Sequence, residues 1–370
     1  MLIYSSIILA FSTEGQASIR FKHINIGGSA LTILQDKVGF IWVGTFDGLI
    51  RYDGYEIKAF KNSLYDTTSL SENSVKAMIQ DRQGNIWIGT DGGLNLFDPK
   101  TEKFTRYIHQ ANNPNSLSHD SITSIVEDSQ ANLWIGTNGG GLNHFNTTTK
   151  HFTQYRHQAN NSNSLSNDAV WSIVEDYKGN LWVGTWGGGL NRFDPKIVKF
   201  SHYRHLENDP NSLSDDIVRS LFADSQNNLW VGSGGGGGLN LFDPRTKQFT
   251  NYSHRDDEPN SISDNFITSI FEDSQNNLWV GTWGGGLNLF DAKLERFTHF
   301  RHQLNDQNSL KGDTVRSLFE DNQGNLLVGT QEGLVFFNRN TTQFNYHKVP
   351  SSLNSYNGGS IVEDKRGNIW

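Results

Sequence analysis

Short apolar stretches alternate with polar turns along the whole chain, and the alternation never settles into the 3.6-residue period of a helix. Ser121 to Glu127 (SITSIVE) is β-branched and apolar, Asp128 to Asn132 is a polar turn, and Leu133 to Thr137 is apolar again. Asn138 to Gly141 is a glycine turn, Leu142 to Asn146 a third apolar stretch, and Thr147 to Lys150 another turn. His151 to His157 is a fourth stretch, and Asn160 to Asn167 bridges to the next unit. Turn residues separate every stretch, which predicts four short antiparallel strands.

This unit repeats. The phrase Gly-Asn-Ile/Leu-Trp-Val/Ile-Gly-Thr places its Trp at Trp42, Trp87, Trp134, Trp182, Trp230, Trp279 and Trp370, with Leu327 in the seventh position. An aspartate stands six residues ahead of each: Asp36, Asp81, Asp128, Asp176, Asp224, Asp273, Asp321 and Asp364. Four strands in under fifty residues, repeated in register, predict an all-β seven-bladed β-propeller of four-stranded antiparallel blades. The first strand of each blade is then innermost. The loop between strands two and three shares one face, the upper face, with the blade-to-blade connection. The motif Trp is expected to wedge between sheets, the Gly-Thr after it to permit close packing, and the Asp to cap its turn through backbone amides.

Two segments compete to close the ring: Arg20 to Ile26 (RFKHINI), ahead of the first repeat, and Phe344 to Lys348, after the seventh. Residues 18–352 are expected to form the propeller, and 353–370 to begin an eighth repeat that stops on its Trp. A natural protein continuing further, or a fragment, explains that stop. At the other end, Leu2 to Phe11 is apolar and Ser12 to Ala17 ends in small residues, as in a secretory signal peptide over residues 1–17, although a basic n-region is missing. A periplasmic location follows from that expectation.

Composition narrows the function. Hydrophobic residues make up 35% of 370, and 37 glycines bring the total to an ordinary globular apolar fraction. The net charge of −8 argues against nucleic acid as a partner. The absence of cysteine removes disulfides, thiolate zinc sites and Cys nucleophiles.

Glu127 to Asn146 (EDSQANLWIGTNGGGLNHFN) and Glu175 to Pro195 (EDYKGNLWVGTWGGGLNRFDP) resemble the repeat of the two-component regulator propeller family. Gln35 to Asn62 resembles the first blade of such sensors. The resemblance covers nearly all of residues 20–370, and departs at Leu327 and at Ser233, which replaces Thr. It implies an exported sensor part of a larger signalling protein, in which a C-terminal histidine kinase or diguanylate cyclase supplies the output and carbohydrate fragments are ligands for some members. The implied partners are a small polar ligand such as an oligosaccharide, the C-terminal signalling domains, and a second copy in a homodimer.

No catalytic signature accompanies the repeat. His109, His157, His205, His254 and His302 recur on strand four, one on each of five blades at the rim, too far apart to converge on a metal. One aspartate per blade does not make the closely spaced carboxylate pair of a glycosidase, and the pattern resembles the sialidase Asp box only faintly. The glycine run Gly234 to Gly238 joins two strands, with no helix N-terminus to receive a phosphate. No cofactor is implied.

Positions that specify the ring should repeat, whereas an asymmetric ligand needs different residues in different blades. Directly after Gly-Thr/Ser stand Phe46, Asp91, Asn138, Trp186, Gly234, Trp283 and Gln331; five residues before the motif Asp stand Lys76, Thr123, Trp171, Arg219, Thr268 and Arg316. Both sets map to the upper face. Trp171, Trp186 and Trp283 with Lys76, Arg219 and Arg316 are therefore the candidate ligand-binding residues, aromatic platforms beside cations. Packing of Trp186 and Trp283 on neighbouring glycine loops is the alternative. The leading expectation is a ligand-binding sensor without enzymatic activity. A lyase resembling the streptogramin lyases and a protein-binding scaffold are the other readings.

Overall fold

In the computed structural model, which describes residues 21–337, seven four-stranded antiparallel sheets form, with strand order following the chain in six of them. The seventh joins Val315–Glu320, Leu326–Thr330 and Gly333–Phe337 to Phe21–Ile24 as its outermost strand. The register Phe21↔Phe337 to Ile24↔Leu334 shows that the segment ahead of the first repeat closes the ring. The competing segment at Phe344 to Lys348, the leader at 1–17 and the eighth repeat at 353–370 lie outside the described residues.

The repeat's apolar code becomes the inter-blade core. The six motif Trp side chains among the described residues are nearly inaccessible, from 1% exposed at Trp42 and Trp87 to 4% at Trp182. Each meets, edge to face, an aromatic ring of the following blade: Trp42 meets Phe97, Trp87 Phe145, Trp134 Phe193, Trp182 Phe242, Trp230 Phe290 and Trp279 Phe337, at 5.0–6.1 Å. That is the geometry the ring quadrupole favours. The glycine after the motif is required by approach: a Cβ on Gly184 would lie 2.5 Å from Val218 Cγ1 of the next blade.

At the lower end of each sheet the motif Asp does what its turn requires, and more. Asp176 Oδ1 accepts the amides of Lys178 and Asn180, while Oδ2 accepts the indole N–H of Trp182 at 3.1 Å. The same carboxylate-to-indole bond forms in the first six blades, at 2.5–3.1 Å. In the seventh, where Leu327 has no side-chain N–H to offer, Asp321 Oδ2 keeps the bond from Asn325 Nδ2 that Asn85 and Asn228 also make to their aspartates. The Asp-Trp spacing thus couples the turn to the wedge.

Candidate functional site

The first strands line the channel, and their upper ends are irregular. In blades two to seven the pairing of strands one and two skips one residue, as between Val170 and Ser172 or Val218 and Ser220. The skipped residues are Lys76, Thr123, Trp171, Arg219, Thr268 and Arg316. A β-bulge re-aims the side chain it carries, so the non-repeating set sits on the local distortion that frees those side chains from the ladder.

Five of the six candidates join one arc. Trp171 and Trp186, both of blade four, stack at 5.1 Å. The Arg219 guanidinium of blade five lies 4.6 Å from the Trp171 ring and 5.7 Å from Phe266 of blade six. Phe266 packs on Trp283 at 5.4 Å. Arg316 of blade seven lies 4.8 Å from Trp283 and 5.6 Å from Phe46 of blade one. Each arginine is a rivet between the aromatics of its two neighbouring blades. Trp186 and Trp283 rest on these partners and remain 40% and 44% exposed. Lys76 does not join; its Nζ pairs with Asp91 at 2.5 Å in blade two. Burial pushes the Asp91 carboxyl up, but hydrogen bonds from Lys76 and Ser121 outweigh it and hold the group below its ordinary range.

The arc is electrostatically incomplete. Among the described residues, the Nε atoms of Arg219 and Arg316 and the Trp171 indole nitrogen are buried without a hydrogen-bond partner. Burial, with the Arg316 charge beside it, pulls Arg219 down to about 10, and burial also lowers Arg316. Both stay protonated at neutral pH. Keeping Arg219 charged costs the unliganded fold on the order of 3 kcal/mol, from about 1.4 kcal/mol per unit of displacement. Neutral aromatic faces and two unmatched cations suit a ligand with apolar faces and oxygen acceptors.

Phe266 and Phe46 complete the arc, and neither was among the candidate residues. Phe266 precedes its first strand, where the other blades carry Ser74, Ser121, Ala169, Ile217 and Thr314, so the same between-blade variability marks it. The recurring histidines lie not on strand four, as the sequence predicts, but two residues past its end, because each fourth strand stops at Tyr107, Tyr155, Tyr203, Tyr252 or Phe300. His109 Nδ1 bonds the Leu117 carbonyl and His157 Nδ1 that of Leu165, one histidine per connection. No group of three or more His, Cys, Asp or Glu able to hold a metal occurs among the described residues. In the glycine run of blade five, a Cβ on Gly235 would meet the Asp215 carboxylate, which opposes an anion there.

Six segments, 69–92, 116–139, 164–187, 212–235, 261–284 and 309–332, match the model of the two component regulator propeller. A 43-residue stretch is 49% identical to Histidine kinase P4 of Formosa agariphila, covering 12% of this chain and 3% of the kinase. Among solved structures, the extracellular domain of a hybrid two-component system from B. thetaiotaomicron is 27% identical with a TM-score of 0.76, over 86% of this chain and 42% of that one. The chain therefore spans less than half of the extracellular domain it matches. Streptogramin B lyase is 14% identical with a TM-score of 0.64, over 86% of this chain and 97% of the lyase, a likeness of fold alone.

Proposed function

Because this chain carries the repeats of the two-component regulator propeller family and resembles extracellular sensor domains, we propose that it is the ligand-binding propeller of an exported signalling protein. In this reading residues 1–17 are the leader, residues 18–352 form the periplasmic ring, residues 353–370 begin a further blade, and a C-terminal output domain receives the signal. The ligand is polar, an oligosaccharide or a molecule of similar chemistry, and it binds at the upper mouth. Binding there biases the interface with a partner domain, or with a second copy in a homodimer, between two states.

The observation that carries the reading is the arc itself. Trp186, Trp171, Arg219, Phe266, Trp283 and Arg316 come from four blades, stand at positions whose residues vary around the ring, and leave buried guanidinium nitrogens without partners among the described residues. Folding alone gives no reason to assemble them. Sugar faces stack on indoles while hydroxyl or acid oxygens accept from arginine. A glycan panel screened by thermal shift, with Trp fluorescence as the second readout, tests this. A ligand should raise the melting temperature with concentration, and Trp186→Ala or Trp283→Ala should weaken it. A ligand that both variants bind as tightly as the parent places the site elsewhere.

A further inference from the structure

The lower face carries a second repeating device, and it fails once. An amide just past the motif Asp of each blade donates to a carboxylate or amide side chain at the end of the next blade's first strand. Lys37 bonds Gln80, Arg82 bonds Glu127, Ser129 bonds Glu175, Ser225 bonds Glu272, Ser274 bonds Glu320, and Asn322 closes the circle on Gln35. At the seam between blades four and five the two positions are Tyr177 and Ala223, and a methyl group stands where the others carry an acceptor.

A cavity of about 120 Å³ opens at that seam, lined among others by Tyr177, Lys178, Arg192, Ala223 and Lys247. A water takes about 30 Å³, so a small oxyanion fits. The charges facing the cavity are also unusual. Arg192 lies opposite the motif Trp on strand three, as Arg51 does in blade one. Lys247 occupies the left-handed turn position, φ 60°, that Glu102 occupies in blade two, φ 56°. At the first seam these positions form an ion pair, Arg51 to Glu102 at 3.2 Å. At the fourth the same positions carry Arg192 and Lys247, both lining the cavity, and the Arg192 Nε is buried without a partner among the described residues. Asp176 also lines the cavity, but its oxygens are taken up by Lys178 and Asn180 amides and the Trp182 indole.

We infer that the seam between blades four and five is a binding site for a small carboxylate, which supplies the acceptor that Ala223 omits and the counter-charge that Lys247 reverses. The carboxylate accepts from Arg192 and Lys247 on one side and reaches the Tyr177 turn on the other, bridging two blades as Glu175 and Glu272 do at their own seams. This site lies on the face opposite the arginine–aromatic arc and does not depend on it.

The test is a thermal melt of the chain in sodium acetate against sodium chloride at matched ionic strength. Acetate should raise the melting temperature by about 1 to 4 °C and saturate, whereas a bulk salt effect rises without saturating. Ala223→Glu should stabilise the protein without acetate and remove the saturating response, because the side chain occupies the site. Arg192→Leu should fold and lose the response, and Trp186→Ala should keep it. Equal behaviour in acetate and chloride overturns the assignment. So does a saturating response that survives in both Ala223→Glu and Arg192→Leu, or an Ala223→Glu protein less stable than its parent.

Discussion

The lower turn and the upper mouth of the same blades use the same residue types to opposite effect. Below, each of the six described motif Trp side chains is buried and its N–H is satisfied by an aspartate six residues earlier. Above, Trp186 and Trp283 are almost half exposed and lean on aromatics, and the Trp171 N–H is buried without a partner. Charge divides in the same way. The described motif aspartates accept several donors each, while Arg219 feels the Arg316 charge and neither arginine pairs with a carboxylate among the described residues. Satisfaction at one end and deficit at the other separate what holds the ring from what the ring displays, since a buried unpaired charge is retained only against its cost to stability.

The comparison breaks first at Trp182. Trp182→Ala should lower stability by about 3 to 5 kcal/mol, the range for removing a buried aromatic, as read from urea melts. An equal loss from Trp186→Ala, four residues on, would erase the division. Asp176→Ala should cost about 2 to 3 kcal/mol, because it strips a charged acceptor from buried donors. Arg219→Met should go the other way and raise stability by about 1 to 2 kcal/mol, the desolvation penalty relieved less the lost cation–π contact. Its sign has a pH signature. Burial pulls Arg219 down to about 10 in the fold, below its ordinary value in the unfolded chain, so above about pH 10 the unfolded chain binds more protons than the folded one. The parent's penalty therefore fades as pH rises through 10, and the gap between parent and variant should narrow in melts from pH 8 to 11. The smallest effects belong to Trp186→Ala, under about 1 kcal/mol, and to Lys76→Met, under about 1 kcal/mol for a partly exposed pair. Lys76→Met should also leave the response to any upper-face ligand largely intact, in contrast to Arg316→Met.

Much of this was legible in the sequence because repetition is a strong signal. Eight aspartates in register with seven tryptophans and Leu327 predict the blade, the buried wedge and the capped turn, and the structure has all three. What escaped involves contacts across the fold. That Asp176 reaches the Trp182 indole depends on the turn's curvature, which spacing does not reveal. Arg20 to Ile26 and Phe344 to Lys348 read alike, and pairing with Gly333–Phe337 distinguishes the first among the described residues. The bulge at Arg219 and Arg316 has no signature of its own, so between-blade variability located these residues without showing where they aim. Lys76 looked equivalent to them until Asp91 appeared beside it, and Phe266 was hidden in a polar connection. The missing seam acceptor at Ala223 becomes visible only when the other six contacts are seen as hydrogen bonds.

The strand Phe21–Ile24 pairs with Gly333–Phe337, which has a consequence for biogenesis. Closure joins segments more than 300 residues apart, so the loop entropy of the whole chain is paid at the final step, and such contacts slow folding. At ordinary synthesis rates of about 5 to 20 residues per second, the first strand waits roughly 15 to 60 s for its partner to exist. During that interval blade one has no neighbour on one side, and the seventh sheet forms last with an open outer edge, the kind of edge that recruits other chains. Folding yield should therefore depend on how well Phe21 to Ile24 stays unpaired during synthesis, and a chaperone that shields this segment would act on closure while leaving the individual blades to form alone.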